Sequence, residues 1–141
     1  MGGNLFENSH RLNREEFDSV TLQLKPFLDE YTERYHFLVP FASKDSFGDV
    51  DVLVKYREGA HRDLRDALAE YFPDAPIANN QGNYSFLFQG KYQVDFMSFS
   101  HDYETALDFY RHGDLGNILG RFANRFNCKF NYRSYSYFPL F

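Results

Sequence analysis

The sequence contains no tryptophan, two methionines and a single cysteine, Cys128. One cysteine cannot close a disulfide within the chain, and it cannot build a thiolate zinc site. It reads as a small buried hydrophobe rather than a nucleophile, and a reducing, cytoplasmic setting is the expectation. Long apolar runs are also missing, which excludes a membrane-spanning helix, since that takes about 20 apolar residues. The opening Met1-Gly2-Gly3-Asn4 has neither the basic nor the apolar region of a signal peptide. There is no internal repeat, low-complexity tract or linker, and the five histidines have no metal-ligand spacing.

Aromatic residues are abundant, with 17 Phe and 11 Tyr. That load favours a packed core over disorder, and 141 residues fit one compact domain spanning 1–141. The net charge of −5 argues against a simple nucleic-acid-binding module. The charge is unevenly spread: residues 111–141 carry five basic side chains against Asp114, a net +4, which leaves −9 for residues 1–110. An acidic front and a basic, aromatic tail would suit a site where metal ions meet phosphates.

Asn13 and Glu16 form a capping-box pattern. Phe17, Val20, Leu24, Phe27, Leu28, Tyr31 and Tyr35 then recur at helical spacing, with Pro26 expected to kink or split the helix. His36 to Phe41 reads as a short strand, Ser43 to Gly48 as a polar turn, and Asp49 to Tyr56 as a second strand. An amphipathic helix follows over Ala60–Phe72, ended by Pro73 and Pro76. Tyr84–Gln89 and Lys91–Ser98 read as a hairpin turning at Gln89-Gly90. Two short helices, Tyr103–Arg111 and Leu115–Phe126, precede an aromatic, β-prone segment from Cys128. The class is α+β, a mixed β-sheet flanked by helices in the rough order αβαββααβ.

Chemistry concentrates on three carboxylates. In Asp49-Val50-Asp51-Val52-Leu53-Val54 the strand period of two puts both acids on one face and the valines on the other. Two neighbouring carboxylates repel unless a cation sits between them, and Mg²⁺ takes oxygen ligands from one or two carboxylates plus phosphates and water. The spacing alone carries little, because 12 Asp in 141 residues give about one Asp-x-Asp by chance. Context adds weight: a Gly-containing polar turn precedes the pair, and Leu53 stands where the Thr of a haloacid-type phosphatase would be. A third acid, Asp95, lies in Gln93-Val94-Asp95-Phe96-Met97, on a strand, where Asp is depleted.

Taken together, these residues resemble the DNA polymerase beta-like nucleotidyltransferase superfamily over about residues 13–100. Its pattern is a Gly-Ser or Gly-Gly turn after a strand, an acid-x-acid pair opening the next strand, and a third acid on a later strand. Here Ala42-Ser43 corresponds to the turn, Asp49 and Asp51 to the pair, and Asp95 to the third acid. Ala42 departs from the usual Gly, and only five residues separate Ser43 from Asp49, so Ser46 and Gly48 are expected to share the phosphate cradle.

The resemblance implies a transferase that moves a nucleoside monophosphate from an NTP such as ATP to a hydroxyl on RNA, DNA, protein or a small molecule. Two Mg²⁺ or Mn²⁺ ions would be held by Asp49, Asp51 and Asp95, with Asp95 beside the acceptor hydroxyl. Ser43 would bind a terminal phosphate, and Lys44 is a further phosphate candidate. Asn117 and Arg121 are candidates for contacts with the nucleotide, with Arg125, Asn124 and Lys91 behind them.

Gly116 and Gly120 fit close helix packing better than a phosphate loop. Tyr132, Tyr135, Tyr137 and Phe138 around Arg133 read as a surface covered by another domain, with base stacking the second reading. The apolar Phe138, Leu140 and Phe141 point to a further C-terminal domain or a homo-oligomer. Two rivals stay open: a catalytically inactive module of the same fold acting through protein or nucleic-acid contacts, and an unrelated α+β binding domain.

Overall fold

Asn13 starts the first helix by supplying what its free end lacks. Its side chain accepts the Glu16 backbone N–H at 2.8 Å, and the Glu16 carboxylate accepts the Asn13 N–H at 3.1 Å. Two backbone donors are thereby satisfied, and helix α1, Arg14–Tyr31, runs from there. The computed structural model describes residues 5–39, 45–59, 64–80, 83–99, 102–110, 125, 128–130 and 135–137. The chain divides into two compact units, residues 1–100 and 101–141.

Helix α1 is continuous through Pro26 and does not split there. Phe17, Val20, Leu24, Phe27 and Leu28 are buried along one side while Pro26 is exposed, so packing of that side outweighs the one backbone hydrogen bond that Pro cannot make. The helix ends sooner than the spacing predicts. Strand β1, Thr32–Phe37, begins at once, and Tyr35 lies in the strand. Its ring still packs on the core, which is why an apolar repeat carried it into the helical pattern.

The first unit is built on a five-stranded mixed sheet in the order β1-β2-β5-β4-β3. After β1 come β2, Val50–Tyr56; helix α2, Leu64–Tyr71; β3, Ile77–Asn80; β4, Asn83–Phe88; and β5, Tyr92–Ser98. Only the central β2–β5 pair is parallel. Sequence spacing had not marked β3, a four-residue edge strand carrying only half-buried and exposed side chains. In the first unit two strands stand ahead of α2, as the sequence reading has them, and three follow it, β3 being the addition.

Gln89 and Gly90 turn the β4–β5 hairpin with positive φ of 53° and 67°, as a tight hairpin turn requires. Val50, Val52 and Val54 of β2, Val94 and Phe96 of β5 and Phe86 of β4 face the helices. Phe27 of α1 stacks on Phe96 with ring centroids 5.8 Å apart, and Phe72 stacks on Phe86 at 5.0 Å. The high phenylalanine content thus fills the layer between helices and sheet.

In the second unit helix α3 spans Tyr103–Tyr110, and strands β6, Cys128–Phe130, and β7, Tyr135–Tyr137, form an antiparallel pair. No helix among the described residues is long and apolar enough to cross a membrane.

Candidate functional site

With Val50, Val52 and Val54 committed to the core, the alternation of β2 turns Asp51 to the opposite face of the sheet, and Asp49 stands just before the strand on the same side. In β5, Val94 and Phe96 enter the core and Asp95 turns away from it. The parallel register then sets Asp51 directly beside Asp95, and the antiparallel register puts Ser85 of β4 on Asp95's other side. One ligand oxygen from each of Asp49, Asp51 and Asp95 lies within 4.8 Å of the others, and all three residues are half-buried.

Such crowding has an electrostatic consequence. Burial first, then the charges of Asp49 and Asp95, push the Asp51 carboxyl up to about 7. A proton shared between Asp51 and its neighbours lowers the repulsion, and a divalent cation would do so more completely. The donor set is all carboxylate oxygen, which suits hard Mg²⁺ or Mn²⁺.

Around the acids the backbone is tied down. Leu38 donates its N–H to the Asp51 carbonyl at 2.9 Å. The turn leading into β2 is pinned to the chain ahead of α1: Leu12 and Phe47 exchange two backbone hydrogen bonds of 2.8 Å. Arg11 donates from Nε to Ser46 Oγ at 2.7 Å and from its terminal nitrogen to the Ser46 carbonyl at 3.2 Å. The Arg14 guanidinium sits 4.8 Å above the Phe47 ring. Ser46 is therefore exposed and already engaged by Arg11, and Gly48 is half-buried one residue before Asp49.

Sequence reasoning missed Arg11, Ser85 and Gln93. The Gln93 amide donates to both Asp95 oxygens at 3.1 Å, and its carbonyl oxygen accepts the Leu5 N–H at 3.1 Å. A buried polar residue two positions before a strand acid was the available signal, because the period of two places both on one face. Lys91 is exposed on the hairpin, where its carbonyl accepts the His10 N–H. Ser43, Lys44, Asn117, Arg121 and Asn124 lie outside the described residues, as do Tyr132, Arg133, Phe138, Leu140 and Phe141. A groove of about 490 Å³ runs on the helical side past Pro26, Tyr71, Phe72 and Phe88, and none of the three acids lines it. No protein-family model matches the chain, and no curated protein matches it.

Proposed function

We propose that this chain is a metal-dependent nucleotidyltransferase domain of the DNA polymerase beta-like kind, working in the cytoplasm. The convergence within 4.8 Å of Asp51 and Asp95, on adjacent parallel strands, and Asp49, just ahead of the first of them, carries the reading. Three carboxylates this close repel one another, and a shared cation would relieve that repulsion. The mixed sheet with helices on one face accommodates that family's arrangement of acids on neighbouring strands.

When bound, Mg²⁺ or Mn²⁺ supplies positive charge to the triphosphate and polarises the acceptor hydroxyl. Asp49 and Asp51 would hold the cation, which would neutralise the charge of the triphosphate. Asp95 faces the acceptor and takes its hydroxyl proton. The acceptor oxygen then bonds to the α-phosphorus, the bond from that phosphorus to the bridging oxygen breaks, and pyrophosphate leaves with the electron pair. Ser46 and Gly48, in the turn that leads into Asp49, are the candidates for holding the phosphates. Ser43, Lys44, Asn117 and Arg121 remain candidates for the rest of the nucleotide.

Incubation of the protein with α-³²P-labelled NTPs, Mg²⁺ and either cell RNA or cell protein tests the proposal. Label joined covalently to the acceptor, and lost with EDTA or with Asp49→Asn, is the expected result. An absence of transfer with all four NTPs, alongside tight NTP binding, would favour the inactive module instead.

A further inference from the structure

Gln93 is 4% exposed, on the same face as Asp95 and, one step before the Val50–Val94 pair in the register, level with Asp49. Its amide nitrogen stands 3.1 Å from both oxygens of Asp95, so it lies near the bisector of that carboxylate. A cation must approach along that edge to chelate both oxygens at once. The amide is held there from behind by the Leu5 N–H on its carbonyl oxygen, which also fixes which end of the amide faces Asp95. Asp95 is left to offer one oxygen at a time, from the side turned towards Asp51.

Cations differ in their tolerance of that restriction. Mg²⁺ demands a compact octahedral shell and takes one oxygen per carboxylate, whereas Ca²⁺ takes six to eight oxygens and readily uses both of one carboxylate. We propose that Gln93 is a positioning residue that locks Asp95 as a one-oxygen ligand and so tunes the three-acid site towards Mg²⁺ or Mn²⁺ and against Ca²⁺. This rests on the reading of the acids as a metal site. It adds to that reading a determinant of which metal is accepted.

The test is displacement of bound Mn²⁺, followed by electron paramagnetic resonance, by Mg²⁺ and separately by Ca²⁺. The full chain is compared as wild type, Gln93→Met and Gln93→Leu, with circular dichroism confirming the fold of each. Both variants remove the amide donor, so either folded one suffices. Loss of an outer hydrogen bond to a ligand typically weakens a metal about 10–100-fold, and Mn²⁺ affinity should fall within that range. The deciding readout is the ratio of Ca²⁺ to Mg²⁺ needed for half displacement, which should move about tenfold in favour of Ca²⁺. A merely structural role would weaken all three ions together and leave the ratio in place, which would overturn this assignment while the metal site stood. Wild-type protein that binds no Mn²⁺ would overturn the metal reading and this inference with it.

Discussion

Asp51 is the residue on which the site's energetics turn. In an unfolded chain an Asp ionises near pH 4, but in the fold burial and the Asp49 and Asp95 charges raise Asp51 to about 7. The folded protein therefore keeps a proton that the unfolded chain releases. The stability from this group is fully present below about pH 4 and is lost as pH rises through about 7. Between pH 5 and 8, metal-free wild type should lose roughly 2–3 kcal/mol more than Asp51→Asn, by the linkage of protons to folding. Urea denaturation of both proteins at the two pH values measures this. Identical pH dependence would mean that Asp51 is not held protonated by its neighbours.

At the scale of elements, helix α1 is the informative case. Its capping box was readable from Asn13 and Glu16 because a cap is local chemistry, and the structure reproduces both hydrogen bonds. Its passage through Pro26 was not readable, because the burial of Leu24, Phe27 and Leu28 that holds it depends on strands far along the chain. Pro26 leaves the Leu22 carbonyl without its intrahelical donor. Pro26→Ala should accordingly raise stability by about 1–3 kcal/mol, read as a higher urea midpoint with an unchanged slope. An equal or lower midpoint would indicate that the proline is accommodated without cost.

The same division runs through the site. Asp49, Asp51 and Asp95 could be picked out because alternation fixes the face of each strand. Their meeting depends on β2 and β5 pairing in parallel, which no local pattern encodes. Arg11 escaped notice because its partner, Ser46, is 35 residues away. Edge strand β3 escaped because it contributes no fully buried side chain to the core.

Across the whole molecule, three clustered acids set stability against cation binding. Residues 1–110 carry a net −9, a charge balance that favours divalent cations over anions. A ligand that binds only the folded state, at 100 times its Kd, adds about 2.7 kcal/mol. For a chain of this length that is a Tm rise on the order of 10 °C. Mg²⁺ or Mn²⁺ should produce such a rise in wild type and none in the Asp49→Asn, Asp51→Asn double variant. A melting curve unmoved by either ion in wild type would count against the site.

Asp95 separates a transferase from an inactive or unrelated fold. Asp95→Asn keeps the side chain's shape and removes its charge and its capacity to take a proton. Loss of a general base costs on the order of 10²–10⁴ in rate. NTP affinity should change far less, because in the proposed site Asp49 and Asp51 would still hold the metal–triphosphate complex. Single-turnover transfer of an α-labelled NMP, measured beside calorimetric NTP titration, reads both quantities on the same protein. Transfer should be nearly abolished in Asp95→Asn with NTP binding largely kept; equal transfer by wild type and Asp95→Asn would remove Asp95 from the reaction and refute the proposed transferase.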